Sequence, residues 1–254
     1  MASSARIRAK AMRAVIGGLI AIALGPRSIA ASKPAPTPEE TAARDRLAKI
    51  LAKFDETQTL TRTLTATFTE RKDLGLLKDP VVAKGRFFYT KPNDVLWQYT
   101  DPDPRYFLIN KDELLSYFPR KRKAERVSIS MYHDRLLKVL AIGQPSETLR
   151  KYYNIHLEET GNTLDGTWLL VLEPRTRIVK KRISELRLWV SQDRSLPIQM
   201  QWREPDGDST TITFEDVRFN PDIQASVYKL DIPKDVEIHK GFSGFAPGKE
   251  KEQG

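Results

Sequence analysis

Cysteine is absent from the 254 residues of the sequence, and histidine occurs only three times. Without cysteine, the chain cannot form disulfide bonds, thiol nucleophiles or cysteine-ligated metal sites. His133, His156 and His239 lie far apart, and none has a second ligand at metal-site spacing, so we predict no metal or other cofactor. The catalytic signatures GxSxG, Walker A, GxGxxG and HExxH are also missing. These absences favour a protein that is not an enzyme.

The longest apolar run is too short to cross a bilayer comfortably, which takes about 20 residues. It spans 11 residues, Ala14–Leu24, between a cluster of basic residues and the small residues of Ser28-Ile29-Ala30. This order is typical of a cleaved signal peptide, the alternatives being an uncleaved anchor or a buried helix. We predict that residues 1–30 direct export to the periplasm and that the mature chain is soluble.

The basic character of the chain is concentrated in this first segment. Residues 1–30 hold five of the 42 basic residues and none of the 33 acidic ones, so the net charge falls from +9 to +4 in the remainder, which has 37 basic residues. Such a small surplus gives little support to nucleic-acid binding, and we expect no nucleic-acid partner.

Composition suggests where the domain begins and ends. Residues 31–40 are rich in proline and predict a linker, at whose end a helix is expected to start near Thr37-Pro38. Residues 41–239 are predicted to form one domain, and residues 240–254 a disordered tail.

After the first helix, the apolar residues recur at every second position. Leu64 and Phe68, for example, share one side of a predicted strand whose other side carries threonines. About twelve such strands are predicted, interrupted by one helical insert at Ser130–Ile142 and ending with a strand at Tyr228–Ile232. Nearly all connections are short, so we expect one large antiparallel, strongly curved sheet in a mainly β (α+β) fold.

The predicted strands are rich in aromatic residues, including all four tryptophans. An ordinary sandwich or barrel core is one interpretation. The other is that the concave face of a large curved sheet is filled by helices or by an apolar ligand such as an acyl chain. In that case the two apolar helices would form a lid. The lid residues that we predict are Leu47, Leu51, Phe54, Leu136, Leu137 and Leu140.

Two basic runs lie between predicted strands. One is Arg120–Lys123 together with Arg126, and the other comprises five basic residues within Arg175–Arg182. Solvated hairpin tips explain both runs, and contact with anionic headgroups or with an acidic partner protein is the alternative.

The segment Gly85–Pro119 has a distinctive order of features: a glycine in a strand, a basic residue before proline, an aromatic-rich strand, a proline turn, and a strand ending in Tyr-x-Pro. In this order it resembles the LolA-type lipoprotein carriers. The similarity continues through the helical insert, Leu172-Glu173-Pro174 and Asn220 to Leu230-Asp231-Ile232-Pro233, and covers about residues 40–238.

This resemblance implies an unclosed half-barrel with a helical lid, acting as a monomeric periplasmic carrier. Such carriers accept the acyl chains of lipoproteins from an inner-membrane transporter and pass them to an outer-membrane receptor. By position, Val95, Trp97 and Tyr99 would line the cavity. The full set of cavity residues that we predict is Phe68, Phe87, Tyr89, Val95, Trp97, Tyr99, Leu188, Met200, Trp202 and Phe214.

Departures from the family pattern indicate a divergent member. Lys91 stands before proline where the family has arginine. The ammonium group of lysine is a point charge, whereas the guanidinium group of arginine is planar and can form paired hydrogen bonds. Lys91 is therefore either a latch for the lid or a surface residue of the turn. The loop at Asp73–Pro80 is also long.

The alternative function is a periplasmic regulator that senses lipid or lipoprotein.

Overall fold

The computed structural model describes residues 37–110, 113–128, 145–159 and 164–241. In the unit that begins at Pro38, the helices described are α1 (Pro38–Leu60), α2 (Ser146–Tyr152) and α3 (Arg177–Lys180), with a 3-10 turn at Ala225–Tyr228. The strands are β1 (Thr63–Asp73), β2 (Val81–Thr90), β3 (Asp94–Asp101), β4 (Arg105–Asn110), β5 (Glu113–Phe118), β6 (Lys123–Ser128), β7 (Tyr153–Glu158), β8 (Thr167–Pro174), β9 (Glu185–Ser191), β10 (Pro197–Arg203), β11 (Ser209–Phe219) and β12 (Glu237–Lys240).

Helix α1 begins where the sequence predicts a helix start. Pro38 occupies its first position, and two glutamates follow in the first turn, where acidic side chains interact favourably with the helix dipole. Its buried residues lie one, three and four positions apart, and they therefore form one stripe along the helix. They are Ile50, Leu51, Phe54 and Gln58.

All twelve strands belong to one unclosed sheet, in the order β12-β6-β5-β4-β3-β2-β1-β11-β10-β9-β8-β7. Strands β1 to β6 form one meander and β7 to β11 a second, and the two join where β1 pairs with β11. The prediction of a single large, unclosed sheet is confirmed. Its two edges are β12 and β7.

The prediction that the sheet is antiparallel throughout is wrong at one edge. Strand β12 runs parallel to β6, with Ile238 beside Ala124, so the sheet is mixed. The predicted strand at Tyr228–Ile232 is wrong as well, because Tyr228 ends the 3-10 turn and no strand follows before β12. The segment 220–236 instead crosses the sheet. As a result, β12 starts at the same end of the sheet as β6, which parallel pairing requires.

The two faces of the sheet carry separate apolar clusters. The face that packs against α1, here called the inner face, includes Val95, Trp97 and Tyr99 of β3. Leu96 lies between them and belongs to the opposite, outer face, where it packs with residues of the segment 220–236. Strand β3 is therefore buried on both sides, and the period of two assigns each side chain to its face.

Asn220 ties the corner between α1 and β1 to the end of β11. Its Oδ1 accepts hydrogen bonds from the backbone N–H groups of Arg62 (2.7 Å) and Thr63 (3.2 Å), and its Nδ2 donates to the carbonyl oxygen of Leu60 (3.1 Å). Asn220 has a φ of 53°, a left-handed conformation that asparagine tolerates better than most residues. One side chain thus fixes the end of α1 against two central strands.

We expect Asn220→Ala to lower the free energy of unfolding by about 2–3 kcal/mol, because it removes three hydrogen bonds at a left-handed position. Asn220→Asp should lose less, because its carboxylate still accepts from both backbone N–H groups. Urea denaturation followed by tryptophan fluorescence measures both losses. Equal losses would mean that the bonds to Arg62 and Thr63 contribute nothing.

Candidate functional site

The inner face is a continuous apolar surface across the sheet. In the second meander, Leu170 lies opposite Leu188, Leu188 opposite Met200, and Met200 opposite Ile212. In the first meander, Trp97 of β3 lies between two other aromatic residues, Phe87 of β2 and Phe107 of β4. Because these cross-strand neighbours touch, their side chains form one surface and not isolated patches.

The structure brings all ten predicted cavity residues together on this face. Eight are buried in its apolar cluster, whereas Trp202 and Phe214 are only partly buried and pack against the cluster. Each occupies an inner-facing position of its strand, as the period of two requires of residues that share one side. That they bind lipid stays a prediction.

Aromatic rings interlock in the middle of the inner face. Phe68 meets Trp97 and Tyr99 edge-on, with 5.0 Å between ring centroids in each pair. Phe87 lies 4.7 Å from Trp97 and 5.7 Å from Phe214. Tilted and edge-to-face pairs of this kind are favourable, so the rings hold one another in place. Phe214 is the least buried ring of the group.

Gly85 makes room for this aromatic group. A Cβ atom at position 85 would lie 2.3 Å from the carbonyl oxygen of Gln98 and 2.6 Å from Cζ of Phe68. Both distances are too short for any side chain to be accommodated without movement. Gly85 is therefore a point of close approach between neighbouring strands, a common reason for a glycine inside a strand.

Helix α1 lies on the inner face and covers part of it. Leu51 and Phe54 are buried in the inner cluster, and Leu47 is partly buried against it. These are the predicted lid residues of the first helix. Outside the described residues lie the predicted lid residues of the insert, Leu136, Leu137 and Leu140.

Two polar contacts hold the C-terminal half of α1. Lys91 Nζ donates to the carbonyl oxygen of Thr59 at 3.2 Å, where a cation interacts favourably with the helix dipole. Asp55 accepts hydrogen bonds from the backbone N–H and the hydroxyl of Ser146, each at 2.6 Å, at the start of α2. Lys91 therefore contacts a helix that we predict to be part of the lid, and its role as a latch stays a prediction.

A polar group at one end of the inner face was not predicted from the sequence. Glu70, two positions after Phe68, is 3% exposed and accepts a hydrogen bond from the hydroxyl of Tyr99 at 2.7 Å. Lys72 Nζ and Arg105 Nη2 lie 3.4 and 3.5 Å from its other oxygen. The available signal was that Glu70 and Lys72 follow Phe68 at alternate positions of β1, so charged residues continue an apolar side of the strand.

This polar group leaves one positive charge in excess, since two cations share the carboxylate of Glu70. Burial raises the pKa of Tyr99 well above its usual value, and the nearby carboxylate raises it further, so the phenol stays a hydrogen-bond donor. The guanidinium of Arg105 also lies over the Tyr99 ring, 4.1 Å from its centroid. The inner face is thus apolar over most of its area and polar at one end.

No three histidine or acidic residues within the described ranges are arranged to hold a metal ion. His156 and His239 lie beside single carboxylates, with Nε2 3.4 Å from Glu173 and 3.2 Å from Glu237. Of the helices that the structure describes, none has the length and apolar content needed to cross a membrane.

Comparison with known proteins agrees with these features. The model of the family described as "Outer membrane lipoprotein carrier protein LolA" matches residues 59–231. A relative from Pseudomonas fluorescens, named "Outer-membrane lipoprotein carrier protein", is 26% identical over 193 residues, which cover 75% of this chain and 87% of the relative. A protein of the same name from Cupriavidus pinatubonensis is 22% identical, over 68% of this chain and 79% of its own length.

A solved structure supports the fold. The crystal structure of an uncharacterized conserved protein from Thermus thermophilus aligns with a TM-score of 0.50 and 12% sequence identity. The alignment covers 77% of this chain and 99% of that protein. At this identity the likeness concerns the arrangement of the backbone and not the function.

Proposed function

Because the chain belongs to the LolA family of outer membrane lipoprotein carrier proteins, we propose that it is a periplasmic carrier that binds the acyl chains of lipoproteins on its inner face, and that it is not an enzyme. The observation that carries this proposal is the continuous apolar surface of the inner face, on which the aromatic residues of both meanders meet. Surfaces that bind lipid chains are predominantly apolar, with few polar groups that fix orientation.

The energetics of an acyl chain fit such a surface. Each methylene removed from water contributes about 0.8 kcal/mol, so a chain of ordinary length gains on the order of 10 kcal/mol when it is covered. The polar group around Glu70 would receive the oxygen-bearing part of the lipid, while Trp202 and Phe214 supply apolar area that the protein itself covers only partly.

Release is as necessary for a carrier as binding. Leu51 and Phe54 of α1 occupy the same inner face that the acyl chains would occupy. A ligand would therefore have to displace contacts of the protein with itself, and this competition keeps the net affinity moderate. In this proposal α1 acts as a lid, and Lys91 holds its C-terminal end when the lid is closed.

The route of the cargo is a further part of the proposal. We propose that an inner-membrane lipoprotein-releasing transporter loads the protein and that an outer-membrane receptor unloads it. Export by the predicted signal peptide, residues 1–30, would place the chain between these two partners.

A charge on the inner face should weaken lipid binding strongly. We expect Trp202→Glu to weaken the binding of a fluorescent fatty-acid analogue by at least about tenfold, because a carboxylate in an apolar site is poorly solvated. Mass spectrometry of lipid extracted from the protein purified from the periplasm should show a matching loss of bound lipid.

The matched control lies one residue away on the same strand. Gln201 points to the outer face and its amide donates to Thr211 Oγ1 at 3.0 Å, so Gln201→Glu adds the same charge without touching the inner face. This variant should bind the analogue like the unmodified chain. Normal binding by Trp202→Glu, or equal weakening by both variants, would contradict the proposal.

Transfer separates a carrier from a lipid-sensing regulator. A carrier should move a fluorescent lipid from loaded protein to acceptor vesicles, whereas a regulator would bind lipid and instead retain a signalling protein as its partner. Stable retention of the lipid in the presence of excess acceptor membrane would favour the regulator.

A further inference from the structure

The basic run within Arg175–Arg182 is held in a fixed turn. Val179 and Ile183 anchor it, because both are buried in the inner cluster. Arg175 Nη1 donates to the carbonyl oxygen of Arg150 at 2.8 Å, which links the turn to the end of α2. The cations on this turn are therefore presented by an ordered connection between β8 and β9.

The two basic runs of the chain differ in their partners. Ion pairs with acidic residues largely neutralise the first run, and these pairs are Arg120–Asp103, Arg122–Asp235 and Arg126–Glu113. In the second run Arg177, Lys180, Lys181 and Arg182 are exposed, and no carboxylate among the described residues pairs with them. The positive charge of the second run is thus available to an external partner.

Exposed apolar side chains lie at the same end of the sheet. Ile178, in the middle of the second basic run, is 64% exposed. Leu76 and Leu77, in the loop between β1 and β2, are 100% and 51% exposed. The strand registers place the β1–β2 and β8–β9 connections at one end of the sheet, which is also the end that carries Lys72 and Arg105.

We propose that this end of the sheet docks on membranes that contain anionic phospholipid. The basic rim, defined as Arg175, Arg177, Lys180, Lys181 and Arg182, supplies the attraction, since each basic residue near an anionic surface raises affinity by about fivefold. Ile178, Leu76 and Leu77 enter the headgroup region, as apolar residues among basic ones do in interfacial segments. The proposal does not depend on lipid being carried on the inner face.

Vesicle binding tests the docking surface. The full-length mature chain should co-sediment with vesicles of phosphatidylcholine containing about 30% phosphatidylglycerol, and much less with pure phosphatidylcholine, with binding that weakens as salt is added. The triple variant Lys180→Gln, Lys181→Gln, Arg182→Gln should lose at least about tenfold in affinity. Ile178→Ser should lose severalfold.

A second triple variant controls for net charge. Arg120→Gln, Arg122→Gln, Arg126→Gln removes the same number of charges from the run that is already paired, and it should retain most of the binding. Trp202→Glu should also dock normally, which keeps this test separate from lipid binding on the inner face. Equal loss in the two triple variants, or no preference for phosphatidylglycerol, would overturn the proposal; the latter result would point to an acidic protein as the partner of the rim.

Discussion

Gly85→Ala is expected to destabilise the protein by about 3 kcal/mol or more, the largest effect that we expect from adding a single methyl group. The new Cβ would lie 2.3 Å from the carbonyl oxygen of Gln98. That oxygen belongs to the backbone of the adjacent strand β3, so no rotation of a side chain removes the contact. The strands must move apart, which weakens their pairing and the aromatic packing beside them. Urea or thermal denaturation measures the loss.

Two further variants separate the causes. Gly75→Ala is the matched control, because its Cβ would meet only Asp208 Oδ1, at an ordinary 3.6 Å. Phe68→Leu in the Gly85→Ala background removes the ring contact but leaves the contact with Gln98, so it should not restore stability. Similar small losses in Gly75→Ala and Gly85→Ala would show that β2 and β3 have room for a side chain at position 85.

Local pattern was enough to predict most of the sheet. Alternation in β1 predicted that Leu64 and Phe68 share one side of their strand, and both contribute to the inner cluster. Short connections between strands predicted antiparallel pairing, which holds within each of the two meanders. Both signals depend on residues close in sequence, and the period of two is enforced by the backbone of an extended strand.

Contacts between distant residues could not be predicted in this way. The alternating residues from Tyr228 onward look like a strand, yet they pack on the outer face without strand pairing, because the neighbouring backbone groups are already paired within the sheet. The pairing of Glu70 with Arg105 is another case. Strands β2 and β3 lie between β1 and β4 in the sheet, so the two side chains meet only because of the folded arrangement. Likewise, the two basic runs look alike in sequence and differ only through the acidic residues that the fold brings to one of them.

The protein is expected to lose stability progressively above pH 10, where tyrosine ordinarily ionises. Burial raises the pKa of Tyr153, and burial together with the carboxylate of Glu70 raises that of Tyr99. Between pH 10 and these raised values, the unfolded chain loses protons that the folded chain keeps. Each of the two tyrosines then lowers the free energy of unfolding by up to about 1.4 kcal/mol per pH unit, and below pH 10 their contribution is fully retained.

Two phenylalanine variants test this account, because they should behave alike at high pH and differently at neutral pH. Tyr153→Phe and Tyr99→Phe should each flatten the decline in stability above pH 10, as measured by urea denaturation across the alkaline range. At neutral pH, Tyr153→Phe should cost little, since the buried Tyr153 hydroxyl has no hydrogen-bond partner among the described residues. Tyr99→Phe should cost about 1.5–3 kcal/mol, because it removes the donor to a buried carboxylate. An unchanged alkaline slope in both variants would locate the sensitivity to pH elsewhere in the chain, and equal costs at neutral pH would show that the bond to Glu70 adds nothing to stability.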